Sequence, residues 1–305
     1  MAGAVLGVSA AVVPSVEVGA ALRAGRPVVG LETSVIAQGL PPPRNLECIE
    51  RMTTAIRQAG ALPAWTGVVH GSVIVGLTDE ELAVFAEPGR ALKVARRDVP
   101  YTVAARELGA TTVSSTIWAA SRVGVSVVAT GGIGGVHPGT GDVSADLLEL
   151  ARTPVLLVCS GPKSIVDPVA TVERLEELGV ALVGYRSRWL PFFLVRDVPV
   201  ELEARVEDPL GAANIVRALR DLGATAAVLL CNPVPEDLAM DRRVVAAASE
   251  ACVELAAREG VQGKALTPYL LSCLAERTGG RSLEANLALL EANARLAGEV
   301  AAAAT

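Results

Sequence analysis

The chain has 305 residues, half of them hydrophobic and only 3% aromatic, with a net charge of -6. That length can bury a substantial core, and the shortage of aromatics means one built mostly from Ala, Val and Leu. No basic run stands out, which argues against nucleic acid as a partner and leaves a small anionic ligand in a local positive pocket.

The opening MAGAVLGVSAAVV has no basic n-region, and no apolar run is long enough to cross a bilayer. Residues 1–20 read as a loosely packed N-terminal extension. Beyond them a rhythm repeats: a helix-like stretch, then Leu-Gly or Ala-Gly, then a β-branched apolar run. It occurs at QAGALPAW, ELGATTV, ELGVALVG and DLGATAAVLL. Glycine suits the left-handed position that ends a helix, and the run after it suits a strand buried on both faces. In chain order, strands are predicted over Val28–Leu31, Thr111–Val113, Ser126–Ala129, Val155–Cys159, Ala181–Val183 and Ala226–Leu230, with an edge hairpin over Val73–Val75. A capping box opens a helix at Thr78–Glu81. Asp-Pro pairs open others at Asp167–Pro168 and Asp208–Pro209. Ser282 to about Ala303 reads as a long amphipathic helix. The segment RSRWLPFFLVRDVP (Arg186–Pro199) interrupts the rhythm, as a flap, an oligomer contact or core. The alternation predicts one α/β domain over residues 1–305, with a largely parallel central sheet flanked by helices on both faces. The five cysteines form no CxxC pair and are odd in number, and read as reduced residues of a cytoplasmic protein.

Open parallel sheets bind ligands beyond the carboxyl ends of their strands. The residues there are polar, small or charged: Glu32, then Ser114 and Ser115, then ATGGIGGVHPGTGDVSAD (129–146), then SGPKS around Lys163, then Asn232. A carboxyl at the position of Glu32 is partly removed from water and suits a general acid. Of 27 basic residues only Lys93, Lys163 and Lys264 are lysine. An amine can lose its proton, and a guanidinium cannot. Lys163, on a tight turn between strand and helix, suits a Schiff-base nucleophile. The glycine run suits an oxyanion cradle, although it lacks the Gly-Lys-Ser/Thr of a P-loop and the spacing of GxGxxG. His137, Asp142 and Asp146 suit a hard divalent cation that keeps several waters; Asp142 equally suits a turn, and Ser144–Asp146 a helix cap.

Several stretches occur together and in order: GLETSVIAQGLP, KVARRDVP, GATTVSST, ATGGIGGVHPG, DVSADLLEL, CSGPKSIVD, NPVPE, TPYLL and GGRSLEANLALL. On these the chain resembles the pseudouridine-5′-phosphate glycosidases, also called pseudouridylate synthases, from about Ala21 to its C-terminus. The resemblance implies reversible cleavage of pseudouridine 5′-phosphate to uracil and ribose 5-phosphate, with Mn²⁺ or another divalent ion such as Mg²⁺. It implies Lys163 as Schiff-base nucleophile, Glu32 as proton donor and Asp142 as metal ligand. Lys93, Val113, Thr130, His137, Ser144, Ala145, Asp146 and Asn286 would line the substrate and phosphate site. It also implies a cytoplasmic homotrimer. A Schiff-base sugar-phosphate lyase or aldolase, and a non-catalytic nucleotide-binding module, are the alternative readings.

Overall fold

The computed structural model describes residues 11–139 and 141–305. Its strands are β1 Val12–Pro14, β2 Val28–Glu32, β3 Leu62–Val69, β4 Ser72–Val75, β5 Leu92–Val94, β6 Gly109–Thr111, β7 Val127–Ala129, β8 Leu156–Cys159, β9 Ala181–Tyr185, β10 Ala204–Val206 and β11 Val228–Cys231. They form one sheet in the order β1-β4-β3-β2-β7-β8-β11-β9-β10, with β6 joined to β3 and β5 to β6. Only β4 and β6, both against β3, run antiparallel; every other pair is parallel.

Alternate residues of each central strand feed opposite apolar layers. Val127 and Ala129 pack with Met52, Ile56 and Leu289, from the helices Arg44–Gln58 and Arg281–Ala304. Val128 packs the other way, with Ile117, Leu147 and Leu175, from helices on the opposite face. Both faces are therefore covered, which is why these strands read as continuous apolar runs. The helix signals hold: Thr78 and Glu81 form the capping box, and Asp167 and Asp208 cap the helices that begin at Pro168 and Pro209.

Several expectations change. Residues 1–10 of the expected extension lie outside the described residues. Val12–Pro14 are not loosely packed; they form a strand beside β4, and Val18 and Ala21 are buried behind it. That outer strand also means that β4 is not an edge. The strand expected over Thr111–Val113 lies two residues earlier, at β6, and Val113 instead begins the helix Val113–Val123. The shift follows from packing: a Cβ on Gly109 would lie 2.8 Å from Val94 and 3.0 Å from Val68, so glycine alone fits where β6 crosses β3. The Arg186–Pro199 segment is core rather than flap, with Leu190, Phe193, Leu194 and Val195 buried. Among the described residues no helix is long and apolar enough to cross a membrane.

Cysteine pairing also departs from the all-reduced expectation. Helices Arg242–Arg258 and Leu266–Arg277 pack side by side, and this brings Cys252 and Cys273, 21 residues apart, into a disulfide. Cys48, Cys159 and Cys231 are buried free thiols. Thiol titration of the denatured, unreduced protein is expected to count three thiols, not five. Replacing both Cys252 and Cys273 by Ser should lower stability by about 3 kcal/mol through the released loop, read from urea unfolding.

Candidate active site

From β2 the chain crosses through Arg44–Gln58 to β3 on one side; from β7 it crosses through Ala145–Leu150 to β8 on the other. The carboxyl ends of β2 and β7 therefore diverge, and such a switch point is where open parallel sheets hold ligands. A cleft of about 160 Å³ opens there.

Glu32 ends β2 and is 5% exposed. Both its oxygens are engaged: Ser34 Oγ donates to one at 2.6 Å, and Thr130 Oγ1, just beyond β7, donates to the other. A buried carboxylate held by two hydroxyls is fixed in position and solvated by the protein.

Lys163 stands three residues beyond Ser160, the first residue after β8. The glycine loop after β7 runs alongside that turn and continues the sheet. Ser160 N donates to Gly131 O (2.8 Å), Ile133 N to Gly161 O (3.1 Å) and Lys163 N to Ile133 O (2.9 Å). From the other side, Phe193 N donates to Ser160 O at 2.7 Å. Gly161 has φ +74°, and a Cβ there would meet Pro191 O at 2.0 Å, so the turn requires glycine. Lys163 thus sits half-buried on a turn held from both sides.

Part of the glycine loop's set of amides is spent inside the protein. Four of its N–H groups are engaged within the protein: Ile133 with Gly161 O, Gly134 with Asp146, Val136 with Thr171, and His137 with Asp142 O. Its glycines also serve close approach. A Cβ on Gly134 would meet Ser144 Oγ at 2.3 Å, and one on Gly135 would meet Thr171 Oγ1 at 2.3 Å.

Beneath the loop lies Asn293, fully buried on the helix Arg281–Ala304. Its Nδ2 donates to Thr130 O (2.8 Å) and Ser160 Oγ (3.1 Å), and its Oδ1 accepts from Asn232 Nδ2 (2.9 Å). These partners follow β7, β8 and β11. One side chain therefore ties together three neighbouring strand exits.

Every residue to which the resemblance gives a role lines this cleft: Glu32, Lys93, Val113, Thr130, His137, Asp142, Ser144, Ala145, Asp146, Lys163 and Asn286. Several also have structural work. Asp146 accepts from Ser114 N and Gly134 N, both at 3.0 Å, joining the helix start at Val113 to the glycine loop. Ser144 Oγ accepts from Asp146 N and caps the helix Ala145–Leu150. Ser114, Ser115 and Asn232, read as rim residues, do not line the cleft; Ser115 bonds to Val94 O and Ser114 to Arg96 N. The cleft also takes in Ser34, Gln38, Arg97, Thr112 and Lys264. Lys264 ion-pairs with Asp98 at 2.8 Å and donates to Lys93 O at 3.3 Å. All three lysines of the chain thus converge on one site, and the scarcity that selected Lys163 would equally have selected Lys264.

Burial, reinforced by the ammonium of Lys163, holds Lys93 below the ordinary lysine range. Burial also pushes His137 down, against the opposing charge of Asp142. Among the described residues no three His, Cys, Asp or Glu side chains gather as a metal cage. Asp142 is exposed on the cleft wall. A single carboxylate there fits a hydrated hard cation that takes its other oxygens from water and ligand, and does not fit zinc.

The pattern of the family described as Indigoidine synthase A like protein matches residues 17–303. The pseudouridine-5′-phosphate glycosidase of Gemmatimonas aurantiaca is 47% identical over 284 residues, 93% of each chain. That of Myxococcus xanthus is 47% identical over 95% of this chain and 97% of its own. The chain belongs to the pseudouridine-5′-phosphate glycosidase family. Among solved structures it is similar to the prealnumycin C-glycosynthase AlnA in complex with ribulose 5-phosphate, with TM-score 0.88 and 38% identity over 98% of both chains. An indigoidine synthase A-like protein from Thermotoga maritima superposes with TM-score 0.85 and 41% identity, covering 91% of this chain and 92% of that one.

Asn293→Leu should leave the buried Thr130 O and the half-buried Asn232 amide without their partner. A loss of roughly 2–4 kcal/mol in urea-unfolding free energy is expected, well above the effect of a surface substitution.

Proposed function

We propose that this chain reversibly cleaves the C-glycosidic bond of pseudouridine 5′-phosphate, giving uracil and ribose 5-phosphate. The observation that carries the reading is one cleft holding a lysine on a clamped turn and a buried carboxylate, at a sheet's switch point, in a chain 47% identical to enzymes of that name. The carbon–carbon link has no nitrogen or oxygen leaving atom at C1′, so the paired carboxylates of ordinary glycosidases are poorly suited to it. An amine is better suited.

In this scheme Lys163 first passes a proton to Glu32; its neutral Nζ then bonds to C1′ as the bond from C1′ to the ring oxygen breaks, and that oxygen takes the proton from Glu32. The secondary ammonium so formed returns a proton to Glu32; the lysine nitrogen's freed electron pair then expels the base through its C5, which takes that proton from Glu32, leaving an iminium on Lys163. Water hydrolyses the iminium, releasing ribose 5-phosphate and restoring the amine. Thr130 and Ser34 hold the Glu32 carboxyl in place through these steps. Lys93 and His137 face the phosphate, where binding energy positions C1′. Asp142 would hold the divalent cation, whose chemistry is to offset phosphate charge.

Lys163→Arg is expected to abolish uracil release while leaving the urea midpoint near wild type. Borohydride added during turnover should attach a ribose phosphate mass at Lys163; a wild-type enzyme that releases uracil without that adduct would count against the imine. The lowered position of Lys93 gives a pH prediction. As pH rises through that lowered value, the free enzyme loses the ammonium, so kcat/KM should fall before the ordinary lysine range is reached. Lys93→Arg, which stays charged, should remove that alkaline limb.

A further inference from the structure

Among the described residues two buried side-chain polar atoms lack a hydrogen-bond partner: Gln38 Oε1 and Asn286 Oδ1. Both residues line the cleft. A buried oxygen left in this state is costly and asks for an explanation. The orientation of Gln38 is fixed, because its Nε2 donates to Ala91 O at 2.9 Å. Exchanging its nitrogen and oxygen would set two acceptors against each other. Gln38 also lies in a π-helical turn, Val35–Gly39, directly after Glu32 and Ser34; such turns recur at functional sites. Asn286 is 6% exposed and stands on the helix Arg281–Ala304, two turns before Asn293.

Each orphan oxygen can only accept, so each calls for a donor from the ligand. The base of pseudouridine is joined to its sugar through C5 and keeps an N–H at both ring nitrogens. Uracil joined through N1, as in uridine, keeps only one. We propose that Gln38 Oε1 and Asn286 Oδ1 accept from the two ring N–H groups of the base, so that the cleft recognises the C5 linkage by its number of donors. The proposal rests on the substrate reading above and adds a specificity role for Gln38. A base with one donor missing leaves a buried oxygen unpaired inside the closed site, and sites built on such bonds discriminate strongly against analogues lacking them.

The test uses pseudouridine 5′-phosphate and its N1-methyl and N3-methyl derivatives, with kcat/KM read from release of the free base. Wild type is expected to disfavour each methyl derivative by roughly a hundredfold or more. A methyl group also adds bulk, so the deciding measurement is the relaxation of that preference. Gln38→Met should lessen discrimination against one derivative at least about tenfold, and Asn286→Leu against the other. Equal turnover of all three compounds by wild type overturns the proposal. Unchanged discrimination in both variants, with wild-type urea midpoints, overturns it as well. If wild type releases no uracil from the unmodified compound, the substrate reading itself fails and this proposal with it; that result is visible before any variant is made.

Discussion

The geometry of the site depends on one buried carboxamide. Asn293 has no route to solvent, and its hydrogen bonds go to three strand exits that are far apart in sequence. Thr130, one of its partners, donates from its own hydroxyl to Glu32; Ser160, another, begins the turn that carries Lys163. The acid and the amine are thus referred to a common point beneath them. Polar networks of this kind specify an arrangement well when every member is satisfied, and they are costly when one is not. Placing Asn293 on a long helix packed across the sheet gives it a rigid support that a loop would lack.

Above that point the glycine loop gains precision by closeness. Its residues pack so tightly that Gly132, Gly134 and Gly135 have no room for a Cβ. Gly132 is held between Phe193 and the carbonyl of Gly161, which places the buried Arg186–Pro199 segment directly behind the lysine turn. The site is therefore assembled in layers: Asn293 below, the paired loops after β7 and β8 in the middle, and Lys163 and Glu32 facing the cleft. Beside the lysine turn, Ile165 and Val166 pack against the disulfide-tied helices Arg242–Arg258 and Leu266–Arg277, the second of which brings Thr267, Pro268 and Leu271 to the wall.

Much of this was legible before the structure. Strands buried on both faces must be apolar without a break, so β2, β7, β8, β9 and β11 stood out, and whatever followed them was marked as an exit. Glu32 and Lys163 were found by that rule. Of the strands absent from the predicted set, β1, β5 and β10 have three residues each and are partly exposed, too short to show a period, while β3 was signalled only by the rhythm at QAGALPAW, its apolar run broken by Pro63, Thr66 and Gly67. Val113 was misplaced because a β-branched run after Gly-Ala-Thr suits a strand by propensity, while the packing of Gly109 set where the strand ended. The glycine loop is ambiguous for a different reason. Glycine marks both a need for unusual φ and a need for close approach; sequence does not distinguish them, and here Gly131, Gly132, Gly134 and Gly135 all keep negative φ. Gln38 lies within GLETSVIAQGLP, but nothing in the sequence singles it out from its neighbours, because its meaning lies in what its oxygen fails to touch.

The electrostatics give the cleft its direction. The chain as a whole is acidic, yet its three lysines converge here. Of the carboxylates that face them, Asp146 is engaged by two backbone N–H groups and Glu32 by two hydroxyls. Burial is what chiefly holds Lys93 below its ordinary range; repulsion by Lys163 and, less, by Lys264 adds to it, and Asp146 and Glu32 offset only part. An entering dianion relieves that repulsion more than a neutral ligand does, and the gain falls on the lysines nearest to it. In the proposed reaction, attraction of the phosphate and placement of the sugar against Lys163 are then one event, because the charge that would draw the ligand stands on the same wall as the amine.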